Sequence, residues 1–341
     1  MRVVNTWRTM TQGINTLIIE TVGSCNLRCK ICPTNDYTAG KSLMRDSIFE
    51  KIIDIIKRYD IKVVDMTGWG EPLLDPKLEK RIIEIKQTKK NIFIEFSTNG
   101  TLFTKKRIAQ ILKTGIDHIC ISFDAGSKET YEKIRINSNY EKLIENLKLL
   151  SSLRDEEKTK LSAVFVVIKE NFPEMDNFVE LFYKLGFDFV TFKPLDVLSN
   201  KENLKSIVEK KSIQKRFLNI KGKYMDKIIV REWDLSINEI ENDCLAKAAS
   251  GAIFINCRGD ISPCCNLGHH VPNIRNISFF NYVKKDNFFS FGNILSESFE
   301  KIIGSEMYKN FINAFKDSHL PEPCKGCRLV SKKVRRRIRE I

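Results

Sequence analysis

The chain has 341 residues, of which 42% are hydrophobic and 29% charged, and a formal net charge of +14. This length accommodates one large domain and a smaller one. No stretch approaches the roughly 18 consecutive apolar residues of a membrane span, and the first residues lack the apolar core of a signal peptide. We therefore expect a cytoplasmic globular protein without a membrane span.

Ten cysteines are unusual for such a chain. Cytosolic thiols are kept reduced, so a disulfide framework is not expected. Metal ligation is the better interpretation where the cysteine spacing agrees with it.

The first half of the chain alternates between two kinds of segment. Apolar, β-rich runs predict strands at residues 17–22, 61–66, 92–97, 118–123, 161–168 and 187–193. Segments with apolar residues at three- and four-residue spacing predict helices at 48–58, 76–88, 105–114, 140–153 and 173–185. This alternation predicts parallel strands with helical crossovers, two strands short of an eight-stranded barrel.

The second half of the chain differs from the first in its charge and cysteine content. Residues 199–227 are charged and predict a helix or linker, and a hairpin is predicted at 252–262. Six of the ten cysteines fall between Cys244 and Cys327. The predicted organisation is a core at 1–198, a linking segment at 199–240, a cysteine-rich unit at 241–330 and a basic tail at 331–341.

The tail SKKVRRRIREI carries six basic residues and one glutamate. A basic tail can bind a nucleic acid or an acidic partner. A solvated helix end is the simpler interpretation, and charge alone does not identify a partner.

The first predicted strand leads directly into the loop CNLRCKIC, in which Cys25, Cys29 and Cys32 have the spacing C-x3-C-x2-C. Three thiolates can hold a four-iron cluster by three of its irons. The fourth iron then keeps an open position, as a catalytic metal requires. A structural zinc would need a fourth ligand, and the next cysteine is Cys120, so zinc with distant ligands stays an alternative.

The segment CNLRCKICP resembles the cluster loop of the radical S-adenosylmethionine (SAM) superfamily, in which SAM binds the open iron of a [4Fe–4S] cluster through its amino and carboxylate groups. That family usually has an aromatic residue just before the third cysteine. Ile31 occupies this position here. The resemblance implies that Ile31 packs against the adenine.

Three further segments follow successive predicted strands in the order that this family shows. GWGEP at 68–72 resembles the segment that hydrogen-bonds the SAM amino group, with Trp69 in place of a glycine. STNG at 97–100 and SFDAG at 122–126 resemble loops that contact the ribose and the methionine carboxylate. Active sites of barrel folds gather at this end of the strands. The resemblance thus implies these cofactor-binding residues: Ile31, Gly70, Glu71, Pro72, Asn99, Ser122 and Asp124.

The cysteine-rich unit, with RGDISPCC and PEPCKGC, resembles the SPASM auxiliary-cluster region in its shortened, or twitch, form. The resemblance implies one auxiliary [4Fe–4S] cluster, because no cysteine follows Cys327. Cys257 and Cys265 are spare, although either could replace a ligand, and a zinc site of separated cysteine pairs is the alternative. The implied ligands are Cys244, Cys264, Cys324 and Cys327.

Strand residues alternate between faces, which places Glu20, Asp65, Glu95 and Lys193 inside the barrel. Charged groups are rarely buried unless they are paired or functional. We predict Asp65, Glu95 and Lys193 as candidate catalytic residues that orient SAM or a polar substrate; an internal ion-pair network is the alternative. Cys120 also points inward, where a thiol could donate a hydrogen atom, although a small buried apolar role is commoner.

The resemblance implies an α/β fold: a partial (β/α)6 barrel of the TIM type with a small C-terminal cluster-bearing extension. It also implies an enzyme that cleaves SAM reductively to a 5′-deoxyadenosyl radical, which abstracts a hydrogen atom from a substrate. An electron donor such as flavodoxin or ferredoxin is expected.

Three hypotheses about function follow. The first is an oxidoreductase that oxidises or epimerises a small polar molecule such as a sugar or aminocyclitol. The second is a maturase that modifies a peptide or protein side chain. The third is a basic, zinc-binding protein that binds nucleic acid. The sequence favours the first, leaves the substrate and the oligomeric state open, and does not lead us to expect a nucleic-acid partner.

Overall fold

The computed structural model describes residues 13–36, 42–195, 205–232, 251–269, 288–317 and 320–324. Its strands are β1 (Thr16–Ile19), β2 (Arg28–Cys29), β3 (Val63–Asp65), β4 (Phe93–Thr98), β5 (His118–Ser122), β6 (Arg135–Ile136), β7 (Lys160–Val167), β8 (Phe189–Pro194), β9 (Ile229–Glu232), β10 (Ala252–Ile255), β11 (Asp260–Ser262) and β12 (Gly292–Asn293). Its α-helices are α1 (Asp46–Arg58), α2 (Leu78–Thr88), α3 (Lys105–Leu112), α4 (Lys128–Ile134), α5 (Tyr140–Leu153), α6 (Met175–Lys184), α7 (Lys210–Lys223), α8 (Phe299–Gly304) and α9 (Glu306–Lys316).

Ten strands form one sheet in the order β12-β11-β10-β1-β3-β4-β5-β7-β8-β9. Every neighbouring pair from β10 to β9 is parallel, whereas β11 and β12 are antiparallel at one edge. In the described residues the sheet begins at β12 and ends at β9 without closing on itself. The expected partial barrel of the TIM type is confirmed, with all six predicted strands and all five predicted helices present.

The helices pack their apolar stripes on the outer face of this sheet. In α1 the buried residues recur every three or four positions, as Ile48, Ile52 and Ile55 do. In β4 the outward Ile94 and Phe96 are buried, while Glu95 between them faces inward. Side-chain caps from Thr104, Ser127 and Asn139 fix the starts of α3, α4 and α5.

Two features extend the sequence prediction. The predicted hairpin at 252–262 is present as β10 and β11, and β10 pairs parallel to β1 with Thr16 opposite Ala252, so it continues the barrel sheet. The predicted helix or linker contains α7, and β9 follows it at the other edge. The predicted boundaries at 198/199 and 240/241 and the basic tail lie outside the described residues. No helix in the described part of the chain is long and apolar enough to cross a membrane.

Candidate active site

The cysteine loop leaves the end of β1 and is pinned by its own short strand. β2 pairs antiparallel with β6, which sets Cys29 opposite Arg135. The sulfur of each of the three cysteines has a polar neighbour. Cys25 Sγ accepts from Leu27 N at 3.4 Å and from Asn99 Nδ2 at 3.6 Å, and Cys32 Sγ is 2.7 Å from Thr34 Oγ1.

Burial shapes the chemistry of these thiols. It raises the pKa of Cys25 to about 11 and that of Cys29 to about 12. Both are therefore protonated at neutral pH in the absence of metal, and cluster binding must release their protons. Hydrogen bonds to the sulfurs then stabilise the thiolates as ligands.

The donor set fits a multi-iron cluster. Among the described residues, no group of three or more histidine, cysteine or acidic side chains is arranged to hold a single metal ion. A four-iron cluster binds each cysteine through a different iron, so its ligands need not converge on one point. Three loop cysteines with polar neighbours at their sulfurs satisfy this requirement.

The loop after β3 lies against the cysteine loop. A Cβ on Gly70 would stand 1.8 Å from the backbone oxygen of Val22, so only glycine allows this approach. Glu71 N donates to Ser24 O at 2.8 Å. The Glu71 carboxylate is buried and accepts from Leu73 N, Thr98 Oγ1 and Asn99 N at 3.0, 2.5 and 2.8 Å. The Glu71 side chain therefore joins the loop after β3 to the loop after β4. Cofactor binding by Gly70, Glu71 and Pro72 stays a prediction.

A substitution at Gly70 tests this close approach. Gly70→Ala should lower the free energy of unfolding by about 2–3 kcal/mol, because the new methyl group meets backbone rather than a movable side chain. Gly222→Ala is the matched control. Gly222 lies in α7 with nothing within 4 Å of the added Cβ, so this change should stabilise by up to about 1 kcal/mol. Urea unfolding of both variants measures the difference, and equal effects would contradict the packing described here.

The loops after β4 and β5 complete the rim. Asn99 Nδ2 also reaches Asn26 Oδ1 at 3.0 Å, which links this loop to the cysteine loop. Asp124 is fully buried with φ +65°, and its Oδ1 accepts from Val166 N at 2.7 Å. Ile31 packs against a small apolar cluster of Ile134, Ile168 and Leu195. Cofactor binding by Ile31, Asn99, Ser122 and Asp124 stays a prediction.

Arg135 is a site residue that the sequence did not reveal. Its Nη1 lies 3.7 Å from Cys29 Sγ, and its Nη2 pairs with Asp124 Oδ2. Burial by itself would lower the pKa of Arg135, but the Asp124 carboxylate outweighs it, so the charge is permanent. The Arg135 Nε atom is buried without a hydrogen-bond partner in the part of the chain that the structure describes.

The predicted inward carboxylates lie on neighbouring strands. Asp65 and Glu95 are paired in register on β3 and β4. Glu95 Oε2 is 2.7 Å from His118 Nδ1, and His118 Nε2 is 2.7 Å from Ser162 Oγ. Burial and the nearby Glu95 charge raise the pKa of Asp65 to about 7. Lys193 lies on β8, three strands beyond β4 in the sheet order, so strand pairing does not place it next to this pair.

Glu20 forms a second buried pair, with His269. Glu20 Oε1 accepts from Trp69 N and is hydrogen-bonded to His269 Nε2, both at 2.8 Å. The four histidines have no spacing in the sequence that is typical of a ligand set. In the structure His118 and His269 each contact an inward glutamate.

Two of the four predicted auxiliary ligands lie in the described residues. Cys324 ends a short 3₁₀ turn, Glu322–Cys324, and is buried in the main hydrophobic core, against which Cys264 also packs. Cys244 and Cys327 lie outside the described residues. The four-cysteine ligand set stays a prediction.

Comparison with known families decides the assignment. The family model of the radical SAM superfamily matches residues 19–182, and that of the iron–sulfur cluster-binding SPASM domain matches residues 244–328. The chain belongs to the radical SAM superfamily. Membership with a SPASM domain brings a [4Fe–4S] cluster that binds SAM, together with auxiliary iron–sulfur cluster binding.

Similar radical SAM proteins cover most of the chain. A tungsten-containing aldehyde ferredoxin oxidoreductase cofactor-modifying protein of Pyrococcus furiosus is 27% identical over 92% of this chain and 87% of its own length. A probable GTP 3′,8-cyclase of Saccharolobus islandicus is 29% identical, and the match covers 56% of this chain and 64% of that relative. The crystal structure of Streptococcus suis SuiB bound to S-adenosylmethionine matches with a TM-score of 0.67 and 14% identity, over 93% of this chain and 71% of SuiB.

Proposed function

We propose that this radical SAM enzyme oxidises or epimerises a small polar molecule bound against the inner face of the barrel. The observation that carries the proposal is the adjacent pair Asp65 and Glu95, paired in register on the inner face. Ser97 and Cys120, also paired in register, continue the same face on β4 and β5. Such a surface suits hydroxyl or amino groups rather than an apolar substrate.

Oxidation at a carbon bearing a hydroxyl or amino group removes one hydrogen atom, one electron and one proton. When bound, SAM and the two clusters supply the radical that takes the hydrogen atom and the acceptor for the electron. The proton needs a base, and a base works best when its pKa lies near the working pH. Asp65 meets this condition, with a pKa of about 7, and its Oδ1 has no hydrogen-bond partner in the described part of the chain.

The neighbouring residues have supporting roles in this proposal. Glu95 is held by His118 and keeps a carboxylate close to Asp65. In an epimerisation, Cys120 would donate a hydrogen atom to the substrate radical, and an electron from the auxiliary cluster together with a proton would then restore the thiol. Burial raises the pKa of Cys120 to about 11, so it is a thiol at neutral pH. Lys193 would orient an acidic or hydroxyl group from the opposite side of the barrel.

A second candidate is modification of a peptide side chain. SuiB, whose likeness shows a shared fold, has also been solved bound to the precursor peptide SuiA, and this structure matches with a TM-score of 0.64. The Pyrococcus furiosus relative, by contrast, is named for modifying a cofactor. Its higher identity supports the small-molecule proposal.

Substrate-stimulated SAM cleavage separates the two candidates. Reduced, reconstituted protein is incubated with SAM and a panel of polyols, aminocyclitols, nucleosides and peptides, and 5′-deoxyadenosine is quantified. We expect a hydroxyl- or amino-bearing small molecule to raise its release several-fold and to lose two hydrogens or invert one centre. Stimulation by peptides alone would contradict the proposal and support the second candidate.

A further inference from the structure

A six-residue turn in the auxiliary-cluster region lies against the loop formed by residues 68–72, which is called the SAM loop below. It runs from residue 264 to residue 269 and is closed by Leu267 N and Gly268 N, which both donate to Cys264 O, at 3.2 and 3.0 Å. A Cβ on Gly268 would lie 2.5 Å from the Phe254 ring, so the turn is seated directly on the sheet. The predicted ligand Cys264 begins this turn, and His269 ends it.

His269 is fully buried and held on three sides. Its Nδ1 is 2.6 Å from the Cys265 backbone oxygen, and its Nε2 is 2.8 Å from Glu20 Oε1. Its ring stacks on Trp69 with the centroids 4.2 Å apart and the planes 9° from parallel. The position and orientation of the ring are therefore fixed by contacts with both the turn and the SAM loop.

Trp69 is the residue of the 68–72 loop that meets this contact. Its backbone N donates to the same Glu20 Oε1 that binds His269. The flanking glycines leave little freedom: a Cβ on Gly68 would meet the Glu20 side chain at 2.5 Å, and one on Gly70 would meet Val22 O at 1.8 Å. Moving the His269 ring thus removes a support from the loop that carries Gly70.

We propose that His269 is a positioning residue that couples the auxiliary cluster to SAM binding. Ligation of Cys264 anchors the turn, the turn presses His269 against Trp69 and Glu20, and this contact holds the 68–72 loop in its SAM-binding shape. The inference rests on the assignment of Cys264 as an auxiliary ligand. Without the cluster, the turn is no longer held in place by a ligand bond, and the 68–72 loop becomes ordered only when SAM binds. The conformational entropy lost in this step lowers the affinity for SAM.

The test is a double-mutant cycle read out as SAM affinity. SAM dissociation constants are measured anaerobically, by equilibrium dialysis, for reconstituted wild type, Cys264→Ala, His269→Phe and the double variant, with iron counted in each. Cys264→Ala should weaken SAM binding by about tenfold. His269→Phe keeps an aromatic ring but loses both hydrogen bonds, and it should weaken binding similarly. The double variant should be little worse than either, because both changes break one chain of contacts.

Tyr59→Phe is the matched control. The Tyr59 hydroxyl donates to Glu300 and joins α1 to α8, a second contact between the barrel and the C-terminal region that does not involve the SAM loop. Its SAM affinity should equal that of wild type. Unchanged SAM affinity in His269→Phe, or factors that multiply in the double variant, would overturn the coupling. Unchanged iron content in Cys264→Ala would overturn the ligand assignment beneath it.

The same coupling can be measured on the wild-type protein, through the removal of auxiliary iron by a chelator, so the test does not depend on a variant that folds. Coupling between two sites is reciprocal in binding free energy, so saturating SAM should raise the chelator concentration that removes half of the auxiliary iron at equilibrium, by about the factor by which the cluster tightens SAM binding. The two clusters are distinguished by their spectra. The same half-removal chelator concentration with and without SAM would contradict the proposal.

Discussion

Replacement of Cys29 by alanine should abolish 5′-deoxyadenosine release and lower the iron content of reconstituted protein from about eight to about four atoms per chain. Cys29 is one of the three predicted protein ligands to the SAM-binding cluster, and it lies in β2 opposite Arg135. Its loss leaves two ligands, too few to hold a four-iron cluster that must also keep one iron open for SAM.

Two further cysteine variants make this result specific. Cys324→Ala should lower iron by about half while sparing SAM cleavage at saturating SAM, because it removes only the auxiliary cluster. Cys120→Ala removes a buried thiol on the inner face of β5 and should leave the iron content unchanged. If cleavage disappears in Cys324→Ala while the first cluster persists, the division of labour between the clusters is wrong.

Replacement of Asp65 by asparagine should lower product formation by about 10²–10⁴-fold, the range for loss of a general base. SAM cleavage should continue, because Asp65 lies on the inner face of β3 and not in the cysteine loop. Product formation and 5′-deoxyadenosine release, measured side by side, should thus become uncoupled. Parallel loss of both activities would assign Asp65 to SAM binding instead.

The pH profile gives this prediction a sign. Asp65 has a pKa of about 7 and acts as a base only when ionised, so wild-type product formation should fall as the pH drops below about 7. Glu95→Gln removes the negative charge that helps to raise this pKa, which should move the acid limb to lower pH. An acid limb that stays at the same pH in Glu95→Gln would show that another group titrates.

The same carboxyl group affects stability. Its folded-state pKa of about 7 exceeds the ordinary value of 3.8, so the fold disfavours the ionised form. Stability contributed by Asp65 is therefore lost as the pH rises from about 4 through about 7. Asp65→Asn should raise the Tm at pH 8 and leave it nearly unchanged at pH 4, as measured by thermal unfolding.

Local patterns made the barrel and the cysteine loop predictable from the sequence. Alternation of apolar strands and amphipathic helices is a local signal, and the cysteine loop is a short contiguous segment whose spacing resembles that of a known family. The short helix α4 was missed because seven residues hold too little periodicity to show. The hairpin formed by β10 and β11 was predicted. Its pairing with β1 is a long-range contact that local sequence patterns do not predict.

The partners of the buried charges could not be predicted for the same reason. Arg135 and Cys29 are 106 residues apart, and Glu20 and His269 are 249 apart. The alternation of strand residues predicted that Glu20 and Glu95 face the inside of the barrel. It did not predict whether each carboxylate binds a ligand or a histidine side chain. That choice depends on the register of strands and on the turn at 264–269, which only the folded chain supplies.

If this chain performs radical SAM chemistry, the wild-type protein must cleave SAM reductively. The protein, purified and reconstituted anaerobically and then reduced with dithionite, should release 5′-deoxyadenosine and methionine from SAM in equal amounts. Stoichiometric zinc in place of iron, or no 5′-deoxyadenosine from protein whose first cluster is fully loaded, would show that the chain does not perform this chemistry.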